Sequence, residues 1–145
     1  MVIFIKKLRE SAKTPQRGSD FAAGYDLYAA VTEECSLQPH QTVLIPTGLA
    51  VAIPPGYFGG VFARSGLASK EGLRPANCVG VIDADYRGEV MVSLHNDCEE
   101  ARVITPGQRI AQLVVLPFLE VAFQEEEELS ETSRGDAGFG STGKA

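Results

Sequence analysis

Several things are scarce in this sequence of 145 residues, and each scarcity removes a class of protein. Cysteine occurs three times, at Cys35, Cys78 and Cys98, an odd and widely spaced set with no C-x-x-C. Such a set builds neither a disulfide framework nor a zinc cluster. Buried free thiols in a reducing compartment are the expectation. Histidine occurs twice, at His40 and His95, without a companion at metal-ligand spacing, so no His-based metal site is expected. Positive charge is short: 13 basic residues face 19 acidic ones, for a net charge of −6. That argues against non-specific binding to nucleic acid or to an anionic membrane. A phosphate-bearing ligand then needs a local cationic pocket within a globally repulsive field. Long apolar runs are missing as well. The one at the start, Val2 to Ile5, is too short for a signal peptide or a membrane span, which points to a cytoplasmic protein, or a nuclear one in a eukaryote.

Helical periodicity is also scarce. Glycine numbers 15 and proline 8, together above the roughly 12% of average usage, and helix interiors avoid both. What is present instead is strand spacing. Between Glu89 and Thr105, Val90, Val92 and Leu94 fall on one face, while Met91, Ser93 and His95 fall on the other. Val43–Ile45, Leu49–Ile53, Tyr57–Phe62, Cys78–Ile82 and Ile110–Leu116 are short apolar runs bounded by Gly, Pro or polar residues. Many short strands with turns between them predict an all-β sandwich or barrel in one domain. A short helix fits near Leu67–Glu71.

The composition changes after Phe123. Glu125–Glu128 is a run of like charge, and the chain beyond it is mostly Glu, Ser, Thr and Gly. A segment so poor in apolar residues cannot offset its ordering entropy by burial. We therefore divide the chain into a β domain, 1–124, and a mobile arm, 125–145. The arm ends on Arg134-Gly135-Asp136-Ala137-Gly138-Phe139-Gly140-Ser141-Thr142-Gly143. Its glycines let backbone N–H groups turn toward an anion, and Arg134, Ser141 and Thr142 add side-chain donors.

Three further segments carry polar groups that a plain barrel does not need. Arg64-Ser65-Gly66 joins a planar cation, a hydroxyl and an approachable amide, a phosphate-binding combination that also reads as a β-turn with a surface Arg. Gly80 to Gly88 reads as a hairpin whose Asp83, Asp85 and Tyr86 sit in the turn. Gly107 to Leu113 opens a strand on which Arg109 and Gln112 are polar islands, which also suits the outer face of an edge strand.

Taken together, these segments resemble the trimeric dUTPase family, the dUTP nucleotidohydrolases. Five short motifs of that family occur in order: Ala23-Gly24-Tyr25-Asp26-Leu27, Arg64 to Ala68, Gly80 to Gly88, Gly107 to Leu113, and Arg134 to Gly143. One departure is Ala63, where many relatives have Pro, a change in turn rigidity rather than in chemistry. The resemblance implies a distorted jelly-roll β-barrel or sandwich, assembled as a homotrimer with an exchanged C-terminal arm. Its active sites lie between subunits. The implied reaction is hydrolysis of dUTP to dUMP and pyrophosphate, which clears dUTP from the nucleotide pool and supplies dUMP for thymidylate synthesis. Asp83 takes the role of general base for the water that attacks the α-phosphorus. Mg²⁺ is the implied cofactor, with Asp26 reaching it through water. A hard ion that keeps its waters needs few protein ligands. Arg64, Ser65, Gly66 and Gln112 are assigned to the phosphates, with Arg134, Gly140, Ser141 and Thr142 from the arm. Tyr86 lies under the sugar and excludes a 2′-hydroxyl, Asn77 and the Gly80 backbone bond the uracil edge, and Phe139 stacks on the base. The same fold is used by dCTP deaminases. Those typically carry Ser where Gly66 stands, Arg where Ser69 stands and Glu where Ser93 stands, so that alternative lacks its own residues here.

Overall fold

The computed structural model describes residues 1–138. Among them are twelve strands: β1 (Phe4–Lys7), β2 (Gln16–Arg17), β3 (Tyr25–Tyr28), β4 (Cys35–Leu37), β5 (Thr42–Pro46), β6 (Leu49–Ala52), β7 (Tyr57–Phe62), β8 (Leu73–Pro75), β9 (Val79–Ile82), β10 (Met91–Asn96), β11 (Arg102–Ile104) and β12 (Arg109–Pro117). Every pairing is antiparallel. A five-stranded sheet runs β2-β3-β12-β7-β9, a three-stranded one β5-β10-β8, and β1-β6 and β4-β11 form two ribbons. This is the expected all-β jelly-roll architecture. The expected helix at Leu67–Glu71 is present as a single π-helical turn.

The sheets close on one core. Leu27, Leu37, Ile45, Val51, Val61, Leu73, Ile82, Leu94, Ile104 and Leu113, each from a different strand, belong to a single buried cluster. Burying a side chain of this size contributes about 1.5–3 kcal/mol. The alternation along β10 is as expected: Val92 and Leu94 are buried, while Met91, Ser93 and His95 are half-exposed. The strand ends at Asn96, which is fully buried. Its Nδ2 donates to the carbonyls of Leu37 (3.1 Å), Gln38 (3.2 Å) and Glu100 (2.8 Å), and its Oδ1 accepts from the Cys98 amide (3.0 Å). A polar side chain is stable there because its hydrogen-bonding capacity is used.

Four local expectations are corrected. The thiols are not buried: Cys78 is exposed, and Cys35 and Cys98 are half-exposed. Cys78 stands in the turn before β9 at a φ of 63°, and Cys98 in the loop after Asn96, where neither can reach the core. The alternating stretch is not one strand to Thr105, because it breaks at Asn96 and resumes as β11 against β4. Residues 80–88 are not a hairpin. β9 pairs with β7, while β10 pairs with β5 and β8, so the segment crosses between two sheets. β12 is not an edge strand either; it lies between β3 and β7, at the centre of its sheet. Beyond Pro117 no further strand occurs among the described residues, and Phe118, Leu119, Val121, Phe123 and Leu129 are exposed.

Candidate active site

The register of the five-stranded sheet places the motif residues. Gln112 on β12 faces Asp26 on β3 and Phe62 on β7, and Phe62 faces Val79 on β9. Cross-strand partners share a face, so these four form a row about 14 Å long, at roughly 4.8 Å per strand. Arg64 follows two residues after Phe62, at the end of β7.

Asp26 is the centre of the first cluster. Its side chain is only 12% exposed, and both its oxygens are engaged: Oδ1 accepts from Arg64 Nε (2.8 Å) and Oδ2 from Arg109 Nη1 (3.3 Å). Two cations around one carboxylate leave a local surplus of one positive charge. Arg109, noted in the sequence only as a polar island, is thus part of the cluster. The only signal for it in the sequence is a charged residue opening an apolar strand; its carboxylate partner follows from the central position of β12. Gln112 donates Nε2 to the Ala63 carbonyl (2.9 Å), bracing the turn that carries Arg64. Gly24 makes this possible, because any Cβ there overlaps the Gln112 amide. Ser65 and Gly66 are exposed and lead into the π-turn. This face also holds an open hollow lined by Gly24, Phe62, Ala63, Cys78 and Gln112.

The second cluster surrounds an open cavity of about 380 Å³, a size suited to a small ligand. Asn77, Gly80, Asp83, Tyr86, Leu44 and Met91 line it. Gly80 pairs with buried Val61, and Ile82 is itself buried, so both point away from the face that carries Asp26 and Gln112. The Asn77 amide nitrogen lies 3.4 Å from where a Gly80 Cβ would stand, so these two residues are neighbours at the β8–β9 turn. Asp83 is exposed at the end of β9. The crossing segment after it is braced internally: Tyr86 N–H donates to the Asp83 carbonyl (3.2 Å), and Arg87 Nη1 to those of Ala84 (2.7 Å) and Tyr86 (2.9 Å).

The structure therefore brings the predicted residues into two groups. Asp26, Arg64 and Gln112 are together, with Ser65 and Gly66 beside them. Asn77, Gly80, Asp83 and Tyr86 are together around the cavity, which none of the first group lines. Arg134 joins neither; its Nε donates to the Ala137 carbonyl (2.9 Å) within its own turn. Phe139, Gly140, Ser141 and Thr142 lie outside the described residues. Among the described residues, no group of three or more His, Cys, Asp or Glu side chains could hold a metal ion.

Known proteins match this chain along nearly its whole length. The dUTPase family model matches residues 10–143. A deoxyuridine 5′-triphosphate nucleotidohydrolase of Desulfitobacterium hafniense is 49% identical over 143 residues, covering 98% of this chain and 94% of its own length. One from Chlamydia trachomatis is 46% identical over 142 residues, covering 97% and 98%. Among solved structures, the dUTPase of Staphylococcus bacteriophage 80alpha, a mutant with dUpNHpp, superposes with a TM-score of 0.90. It is 32% identical and covers 99% of each chain. A match to the family model over residues 10–143, with relatives approaching half identity, leaves one assignment: this chain belongs to the dUTPase family.

Proposed function

We propose that the chain is a dUTP diphosphatase that cleaves dUTP to dUMP and pyrophosphate by in-line attack of an Asp83-activated water on the α-phosphorus. The observation that carries this is the position of Asp83, an exposed carboxylate on the rim of the cavity that also presents Asn77, Gly80 and Tyr86. A nucleoside in that cavity meets the Gly80 backbone and the Asn77 amide at its base edge, and the Tyr86 ring at its sugar. A site built for the donor and acceptor pattern of uracil leaves its own groups unpaired against cytosine. Phosphoryl-type displacement needs an aligned nucleophile and neutralised oxygens more than covalent help. Arg64, Arg109, Ser65, Gly66 and Gln112 offer donors of that kind.

The divalent ion fits this donor set in a particular way. Asp26 is already committed to two guanidinium groups. We therefore assign it an outer role, in which it accepts hydrogen bonds from the waters of a Mg²⁺ ion carried by the triphosphate. When bound, the ion neutralises phosphate charge. The chain's own residues hold the phosphates in line and place the water at Asp83.

We further propose a homotrimer in which one chain supplies the Asp26–Arg64 cluster, a second the nucleoside cavity and a third the arm, 125–145. The separation of the two clusters within one chain supports this: the first stands on a sheet face and the second at the β9 edge, and no residue of the first lines the cavity of the second. The exposed apolar residues from Phe118 to Leu129 also suit a subunit interface. Phe139 from the arm then stacks on uracil, with Arg134, Gly140, Ser141 and Thr142 closing over the phosphates. Cytoplasmic localisation is part of the same proposal: the three cysteines are free, and no helix among the described residues is long and apolar enough to cross a membrane.

The test is to incubate the protein and Mg²⁺ with each nucleoside triphosphate and assay pyrophosphate and ammonia. Pyrophosphate from dUTP alone is expected. Ammonia from dCTP would replace the hydrolase by a deaminase. A sedimentation mass of about one chain in a fully active sample would remove the shared site.

A further inference from the structure

The segment carrying Asp83 and Tyr86 is fastened at its far end to two parts of the chain remote in sequence. Tyr86 donates its hydroxyl to the Glu89 carbonyl (2.9 Å), which folds the ring back over Gly88. Gly88 is required for this, because a Cβ there overlaps the Tyr86 ring and hydroxyl. The position of the ring thus depends on where the Glu89 main chain stands. Glu89 is held by its own carboxylate. Oε1 accepts from Arg9 Nε (2.8 Å) and from the Gly48 amide (2.8 Å), and Oε2 accepts from Arg9 Nη2 (3.0 Å). The fork is bidentate and planar, the geometry with the greatest orientational specificity. The Arg9 guanidinium keeps the Glu89 carboxyl below the usual glutamate range, with a smaller contribution from the Gly48 amide. The next residue, Val90, is docked on the same turn: its N–H donates to the Leu49 carbonyl (2.7 Å), and its carbonyl accepts from Thr47 Oγ1 (2.7 Å).

Core stability does not account for this pair. The Arg9 side chain is 47% exposed and that of Glu89 19%, and an ion pair whose cation is half in water adds little to folding. Arg9 lines no part of the nucleoside cavity, whereas Glu89 is on its wall. The pair spans 80 positions of sequence to immobilise the residue whose carbonyl receives the Tyr86 hydroxyl.

We propose that Arg9 and Glu89 are positioning residues for sugar selection, a clamp that sets the height of the Tyr86 ring and so the exclusion of the 2′-hydroxyl. The inference rests on the reading of Tyr86 as the floor of the sugar subsite. Without the clamp the Glu89 main chain loosens, the ring recedes, and a ribose fits.

The experiment compares kcat and KM for dUTP and UTP, with melting temperature, in Arg9→Ala, Arg9→Lys, Glu89→Ala, the Arg9→Ala/Glu89→Ala double variant, Tyr86→Phe and Tyr86→Ala. Arg9→Ala and Glu89→Ala are expected to lower the dUTP/UTP ratio of kcat/KM by about tenfold, chiefly through the KM values, and Arg9→Ala, which lies off the cavity, to change kcat for dUTP by less than about twofold. Arg9→Lys restores part of the ratio, and the double variant is no worse than Glu89→Ala alone, since that substitution already removes every contact Arg9 makes with Glu89. Tyr86→Phe, which loses the anchoring hydroxyl, moves the ratio the same way. If Arg9→Ala and Glu89→Ala leave the ratio unchanged while Tyr86→Ala relaxes it, the clamp is overturned and the sugar subsite stands. If Tyr86→Ala leaves it unchanged, the subsite reading fails. A ratio that shifts only in step with a collapse in melting temperature also overturns the clamp, because a merely structural pair behaves that way.

Discussion

On one face of the five-stranded sheet, Asp26, Arg64 and Arg109 hold one another through charge-assisted hydrogen bonds. At its β9 edge, Asn77, Gly80 and Tyr86 shape a cavity from a turn, a strand backbone and one ring, with Asp83 at the rim. The first region is organised before a ligand arrives, and its net charge suits any polyphosphate. The second is organised by main-chain position, and on the proposed function it takes one nucleoside. On the proposed function the contrast divides the work: generic anion capture on the sheet face, and discrimination at the edge. It also fixes what damage to each should look like. Losses on the sheet face should raise KM alike for all nucleotides, whereas losses at the edge should change which nucleotide is used or whether the chemistry proceeds.

The largest effect tests the edge. Asp83→Asn is expected to lower kcat by about 10²–10⁴-fold, the span of general-base contributions, while dUpNHpp affinity by calorimetry stays near wild type. Near-normal turnover would remove Asp83 as base. Next comes truncation before Thr132, which deletes Arg134, Phe139, Ser141 and Thr142 together. A loss of about 10²-fold in kcat/KM is expected, with thermal stability little changed, because none of the described residues of the arm is part of the core. A large fall in melting temperature would show instead that the arm is part of the folded unit. Arg64→Ala tests the sheet face. It removes one charge-assisted contact of about 1.5–3 kcal/mol, so KM for dUTP should rise roughly 10–150-fold with an unchanged dUTP/UTP ratio. A changed ratio would dissolve the division of labour.

The smallest effect concerns acid. The Arg9 hydrogen bond lowers the Glu89 carboxyl, and the Arg74 hydrogen bond lowers that of Asp97. A carboxyl lowered in the folded state contributes stability that is complete above its unfolded value. That contribution is lost as pH falls through the folded value. Melting temperature should therefore be flat near neutrality and decline below about pH 4. Glu89→Gln and Asp97→Asn should each flatten that acid limb by a few degrees at most, since water reaches the guanidinium partner of each, Arg9 and Arg74. An alkaline dependence on either residue would contradict the sign.

Much of this site is legible in the amino-acid sequence. The alternation around Val92 and Leu94 marks β10, and the motifs and the turn beside them point to Asp26, Arg64, Asn77, Asp83, Tyr86 and Gln112. These are local patterns, and local patterns survive in a linear string. Pairing at long range does not. Nothing near Gly80–Gly88 announces that its two flanking strands join different sheets, because short strands carry no record of their partners. Arg9 and Glu89 are ordinary surface charges until the fold brings them together. Arg109 is visible as a polar residue opening an apolar strand, but its need for a carboxylate follows only once β12 is placed in the middle of the sheet. The cysteines mislead for a related reason: Cys78 and Cys98 look like core thiols by residue type, yet turns decide their exposure.

Asn96 has a consequence for how the molecule comes into being. Its amide joins the end of β10 to carbonyls 58 and 59 positions earlier. Contacts of that separation form only after long loops have closed, and chains dominated by them fold over milliseconds to seconds rather than microseconds. The Asp26 cluster joins β3, the end of β7 and β12, and the cavity joins the β8–β9 turn to both sheets. The Asp26 cluster cannot be complete on a nascent chain that has not yet reached β12, the central strand of the larger sheet. That cluster is acquired at one late step, not by gradual improvement of a partial one.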